Sequence, residues 1–149
     1  MTLKPYLRTL RLGDTDAAGV VYFASLLSIC HEAYEDFLEH RGYSLQVFLQ
    51  NSDLILPITH AEIDFLAPLQ CGDRLAIHLQ FLRLDAARFA LQYVVYLAGT
   101  EKEKPVAQAL TRHIALCPAT RQKVTLPDWF IQLWAEQFPI ASNEGEISC

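Results

Sequence analysis

The apolar residues of this chain change their period about a third of the way along it. They first recur at Phe23, Leu26, Leu27, Cys30, Ala33, Tyr34, Phe37 and Leu38, the spacing of one face of a helix. Val21, Tyr22 and Ile29 widen the stripe. A stripe this wide suits a helix wrapped by a sheet rather than one lying on a wet surface. Gly42 is placed to close the helix, and a short second helix is expected over Leu45 to Gln50. Beyond it the period becomes two. Leu54 to Phe65 reads as extended, with Pro57 marking an edge or a bulge. Leu75, Ile77, Leu79 and Phe81 alternate with Ala76, His78 and Gln80. Phe89, Leu91, Tyr93, Val95 and Leu97 repeat the pattern, and Val106 to Leu116 does so more weakly. Cys71 to Asp73 is a turn and Gly99 to Lys104 a polar hairpin loop. Tyr6 to Leu12 reads as a first strand, and Pro127 to Phe138 as a terminal helix with Pro127 at its first position. A strand, a long helix and a run of antiparallel strands define an α+β fold, a curled antiparallel sheet with the long helix on one face.

Length and composition set the frame. With 149 residues, 52% of them hydrophobic, the chain supports one domain over residues 1–138, followed by a polar tail over 139–149. The formal charge of −5 argues against a nucleic-acid partner, which needs a basic face. The first residues lack the apolar run of a secretion signal, and the stretch from Gly19 to Cys30 is too short to span a bilayer. None of the four cysteines, Cys30, Cys71, Cys117 and Cys149, lies in a C-x-x-C pair. Free thiols in a reducing cytoplasm are therefore expected.

The residues most suggestive of chemistry precede the long helix: Gly13-Asp14-Thr15-Asp16-Ala17-Ala18-Gly19-Val20-Val21-Tyr22-Phe23. Two carboxylates lie in a turn of small residues, directly before a helix start whose first N–H groups have no intrahelical acceptor. A carboxylate and such donors make a workable pair: one attacks or activates water, the other holds a developing oxyanion. From spacing alone the plainer reading of Asp16 is favoured, a turn or cap residue that satisfies backbone N–H groups.

This motif resembles that of the hotdog-fold thioesterases of the 4-hydroxybenzoyl-CoA thioesterase type. Their signature is an Asp, a small residue or Pro, then Ala-Gly-Val/Ile-Val and aromatics. The segment Ala61-Glu62-Ile63-Asp64-Phe65-Leu66-Ala67-Pro68, followed by Gly72-Asp73, resembles that family's second strand and turn. The likeness runs from about Leu7 to Leu126. Within the family the chain is most similar to a cyanobacterial branch whose substrate is an aromatic acyl-CoA of quinone metabolism. The resemblance implies that Asp16 is the catalytic carboxylate and that the backbone N–H of Phe23 polarises the thioester carbonyl. It implies an active site at a homodimer interface, usually within a homotetramer, with an acyl-CoA substrate, water as co-substrate and no cofactor. Ala17 stands where some members have Pro, which loosens the turn slightly.

Other residues are weighed against plainer roles. Asp14 is expected to shape the turn rather than react. Tyr22, Phe23, Phe48 and Thr59 are candidates for an aromatic acyl pocket, although aromatics at such spacing are commonly core. Coenzyme A carries phosphates, so Arg83, Arg88, Arg112, Arg121 and Lys123 are candidates for a local cationic patch, with Arg88 and Arg112 favoured. A solvated face with scattered ion pairs is the plain alternative. Glu32 and Glu35 lie on the long helix, where another thioesterase branch carries its carboxylate. His31-Glu32-Ala33-Tyr34-Glu35 falls short of H-E-x-x-H, and His40, His60, His78 and His113 lack ligand spacing, so no metal site is expected. No G-x-S-x-G element suggests a serine hydrolase. Two other uses of such a fold stay open: a broad-range acyl-CoA thioesterase and a non-catalytic acyl-CoA-binding module. A dehydratase of the same fold would need a paired His motif that the sequence lacks.

Overall fold

The computed structural model describes residues 4–51, 53–135 and 148. Strand β1 (Tyr6–Thr9) leads through a short 3-10 turn (Leu12–Asp14) to helix α1 (Phe23–His40) and helix α2 (Leu45–Asn51). Strands β2 (Ile58–Phe65), β3 (Arg74–Arg83), β4 (Arg88–Leu97) and β5 (Ala107–Ile114) follow, and helix α3 (Asp128–Gln132) comes last. The five strands form one antiparallel sheet in the order β1-β3-β4-β5-β2. The α+β expectation holds: this is a curled sheet with a long helix against one face.

Helix α1 buries Leu26, Ile29, Cys30, Ala33, Tyr34, Phe37 and Leu38, the stripe that the sequence displays. Its end is fixed by Gly42, whose φ of +82° is costly for any residue with a Cβ. The Gly42 N–H donates to the Glu39 carbonyl and the Tyr43 N–H to the Leu38 carbonyl, both at 2.9 Å. This pair of bonds satisfies the last helical carbonyls in the Schellman arrangement. Against the buried face lie Leu75, Ile77 and Phe81 of β3, Phe89, Leu91, Tyr93 and Val95 of β4, and Thr111 and His113 of β5. Trp134 and Phe130 close the core by stacking on Phe37 and tilting against Phe89.

Several local expectations need adjustment. The first strand ends at Thr9, because the Asp14 carboxylate accepts the Arg11 N–H at 2.8 Å and winds the chain into the 3-10 turn. Pro57 precedes β2 instead of lying within it, and the register slips between Ile58 and His60. Pro57 stands at the entry to this edge strand, its carbonyl accepting the Ile114 N–H at 3.3 Å, and the irregularity falls just after it. Pro127 is the cap of α3 rather than its first residue, and the helix ends at Gln132, with residues 133–135 in a turn; the rest of the expected helix to Phe138 and the polar tail, apart from Ser148, lie outside the described residues. Cys30 and Cys71 are free thiols, but Cys117 is disulfide-bonded, which corrects the expectation of free thiols throughout. Among the described residues no helix is long and apolar enough to cross a membrane.

Strand β2 is a sheet edge, and seven of its eight residues are exposed, with Ile63 half-buried. This edge carries free main-chain hydrogen-bonding groups and the exposed apolar side chains Ile58 and Phe65.

Candidate active site

The turn before α1 is a tight reversal. The Asp16 N–H donates to the Val20 carbonyl at 2.9 Å, and the Gly19 N–H donates to the Asp16 carbonyl at 3.0 Å. Thr15 and Val21 bridge across its base. Gly19 makes the reversal at φ +79°, in the left-handed region. The Ala18 N–H donates to the Asp16 Oδ1 at 2.8 Å, which orients the carboxylate. Its second oxygen takes no hydrogen bond from any described residue, so one face of the acid stays available.

Asp16 lines a cleft of about 490 Å³, within the size range of small-molecule sites. One wall is Val20, Val21, Tyr22 and Phe23; the other is Phe65, Leu66, Ala67, Pro68 and Leu69. Four large side chains around it stay substantially exposed: Tyr22 at 44%, Phe23 at 55%, Phe65 at 43% and Leu66 at 55%. Tyr22 and Phe23 meet edge to face at 4.8 Å. Phe23, expected on the buried stripe, instead faces the cleft, because it is the first helical residue and stands above the last turn that touches the sheet.

Helix α1 begins without a side-chain cap and without an acidic residue in its first turn. Among the described residues the Phe23 N–H has no acceptor. The positive end of the helix is therefore not neutralised at the point where it borders the cleft. Asp16, with a free carboxylate oxygen, and Phe23, whose N–H has no acceptor among the described residues, thus both line one largely apolar recess.

Asp14 is committed elsewhere. Arg8 forks onto its two oxygens at 2.9 and 3.3 Å, and the Arg11 N–H donates to it. The Arg8 hydrogen bonds hold the Asp14 carboxyl below the usual carboxylate range. This agrees with its reading as a turn-shaping residue.

The remaining candidates do not join Asp16 within one chain. Thr59 lies at the irregular start of β2, its hydroxyl on the Arg112 carbonyl at 3.3 Å. Arg112 projects from β5 on the face away from α1, since its neighbours Thr111 and His113 are buried toward the helix. Arg88 is held by Asp85, its Nε and Nη2 each 2.6 Å from Oδ2. Phe48 packs against Tyr43 and Trp129. His31 pairs with Glu35 at 3.0 Å, and the described residues hold no group of three or more His, Cys, Asp or Glu side chains fit for a metal ion. No motif in the sequence marks the wall from Phe65 to Leu69 as part of a site. Its signal is an apolar run, Phe-Leu-Ala-Pro-Leu, that overruns the end of an alternating strand.

The fold, the motif and the cleft define a thioesterase-type chain, and comparison agrees. The chain belongs to the thioesterase-like superfamily, whose model matches residues 10–133. The 1,4-dihydroxy-2-naphthoyl-CoA hydrolase of Gloeothece citriformis is 48% identical over 93% of this chain and 96% of its own length. The protein of the same name from Thermosynechococcus vestitus is 48% identical over 97% of this chain and 96% of its own. The crystal structure of a 1,4-dihydroxy-2-naphthoyl-CoA thioesterase from Synechocystis is similar at a TM-score of 0.82, with 39% identity, covering 91% of this chain and 98% of that one.

Proposed function

We propose that this protein hydrolyses an aromatic acyl-CoA thioester, 1,4-dihydroxy-2-naphthoyl-CoA, to the free acid and coenzyme A. The observation that carries the reading is the common cleft. Asp16, with an oxygen to spare, and the unsatisfied Phe23 N–H both border one apolar recess flanked by aromatic rings. The substrate's name comes from relatives at 48% identity along almost the whole chain. The bicyclic acyl group occupies the space between Tyr22 and Phe65. The thioester oxygen accepts from the Phe23 N–H, and the donor gains strength as negative charge develops on that oxygen. Asp16 supplies the carboxylate. A thioester carbonyl is weakly resonance-stabilised, so the carboxylate either attacks it, expelling the coenzyme A thiolate and forming an anhydride that water cleaves, or takes a proton from a water that attacks it as the thiolate leaves. Water is the only co-substrate that either route requires, and the cytoplasm is the compartment this reading implies.

The same reading makes the active unit a dimer. The β2 edge is free, and antiparallel pairing of two such edges about a two-fold axis buries it. An eight-residue strand is about 25 Å long, and two-fold pairing lays the Ile58 end of one β2 beside the Phe65 end of the other. The partner subunit's Thr59 and Arg112 thereby approach the rim of this chain's cleft, Arg112 from the outer face of the sheet, as a contact for the coenzyme's phosphates where they leave the recess. Arg88, already paired with Asp85, is the weaker candidate for that role.

The test is thiol release across a panel of coenzyme A esters: 1,4-dihydroxy-2-naphthoyl, benzoyl, phenylacetyl and straight-chain alkyl. Preference for the bicyclic ester is the expected result. Binding without thiol release would make the protein a carrier of such esters, and a flat profile would make it a broad-range thioesterase.

A further inference from the structure

Resting on that reading of the site, we infer that Arg8, acting through Asp14, is a positioning residue for the oxyanion donor at Phe23. The chain of contacts begins on α1, nine residues below Phe23. Glu32 accepts the Arg8 Nε at 3.2 Å and the Tyr6 hydroxyl at 2.9 Å. Arg8, on β1, turns its two terminal nitrogens onto the two oxygens of Asp14. Asp14 then receives the Tyr22 N–H on its own main-chain carbonyl at 2.8 Å. Tyr22 is the cap residue of α1, extended at φ −72° and ψ 133°, and the peptide that joins it to Phe23 carries the N–H in question. Strand, turn and helix are thus triangulated on one carboxylate, and the last bond of the triangle fixes the residue that aims the donor.

Three features favour positioning over simple surface pairing. The Arg8 and Asp14 side chains are only 24% and 16% exposed, so solvent screens them less than an open ion pair. The fork is bidentate, which fixes orientation as well as distance. Every strong acceptor in the cluster has a donor: Tyr6 donates to Glu32, and its hydroxyl is pushed up to about 12, first by burial and then by Glu32, so it stays protonated. No member of the cluster lines the cleft. Oxyanion donors act only when aimed at the charge of the transition state, and misplacement by an ångström can cost about a hundredfold in rate.

Two variants test the inference. Arg8→Lys keeps the charge and loses the fork; Asp14→Asn keeps an acceptor for the Arg11 N–H and loses the ion pair. Each is expected to lower kcat about 10- to 100-fold while KM stays within about twofold, because the donor matters chiefly in the transition state. Hydrogen exchange supplies a readout that needs no substrate. The Tyr22 amide should exchange about tenfold or more faster in both variants, with the Leu91 amide of β4 unchanged. Unaltered Tyr22 protection in both overturns the inference, as does a kcat within twofold of wild type at full occupancy. A purely structural role would lower the melting temperature and leave kcat per folded molecule intact, which also overturns it. Failure of the underlying functional reading looks different: no ester in the panel is cleaved, or Asp16→Ala keeps its turnover, and the exchange result then decides alone.

Discussion

The Val21 N–H donates to the Leu69 carbonyl at 2.7 Å, and that bond joins the two walls of the Asp16 cleft. Val21 ends the small-residue turn and Leu69 ends the apolar run after β2, so two segments nearly fifty residues apart become one recess. Leu69 is almost fully buried, which anchors the bond beneath the opening.

Removing the carboxylate should stop turnover without unfolding the protein. Asp16→Asn keeps an oxygen for the Ala18 N–H, so the turn survives and stability changes by less than about 1 kcal/mol. Its kcat for the bicyclic ester should fall at least about a hundredfold. Single-turnover hydrolysis in labelled water separates the two routes for the native enzyme. Label found in the Asp16 carboxylate marks the anhydride, and label only in the product acid marks directed water.

Gly19 has nothing within 4 Å of the place a Cβ would occupy, so substitution meets no steric block, but its φ of +79° penalises any side chain. Gly19→Ala should cost about 1 kcal/mol of stability. Because Gly19 closes the turn that holds Asp16, kcat should drop by more than the small loss of folded protein explains. Calorimetry alongside steady-state kinetics checks both effects.

Stability should depend on pH through His113. This residue is buried, its ring stacked on Phe89 at 4.6 Å and its Nε2 2.8 Å from the Thr111 hydroxyl, which also meets the Tyr93 hydroxyl at 3.1 Å. Burial pushes its pKa down to about 4 from the ordinary 6.5. A depressed histidine keeps its full share of stability above the unfolded pKa and loses it as pH falls from about 6.5 toward 4. Protonation of the unfolded chain there removes up to about 3 kcal/mol. The carboxylates Asp14 and Asp85 are held low by Arg8 and Arg88, so their losses fall below the ordinary carboxylate range. Urea melts at pH 7 and pH 5 should therefore differ in the native protein and much less in His113→Gln.

What the sequence made legible was periodic. Both ends of α1, at Phe23 and before Gly42, follow from a stripe and a glycine, and β3 and β4 follow from alternation. What it hid was relational. Arg8, Asp14 and Glu32 meet across 24 residues of chain, and no local pattern announces an ion pair of that span. Phe65 and Leu66 are large and apolar yet stand exposed, and nothing in their type or spacing announces that. The motif marked Asp16, while the opposing wall became visible only once β2 and the turn before α1 lay side by side.

That exposed edge gives a decisive prediction about assembly. If each site combines Asp16 of one subunit with Arg112 of the other, Asp16→Asn and Arg112→Ala damage different halves of the same site. Each variant alone should be impaired at low substrate concentration, Arg112→Ala through KM because a phosphate contact is equally present in ground and transition states. A heterodimer of the two holds one doubly damaged site and one site with both native residues. Random exchange of equal amounts makes half the dimers mixed, so about a quarter of all sites should regain native kcat/KM. Co-refolding the variants and measuring the rate at low substrate tests this directly, with sedimentation reporting the dimer. A mixed sample no more active than the average of its parents would show that Asp16 of one subunit and Arg112 of the other do not share a site, and would leave the β2 edge without a catalytic role.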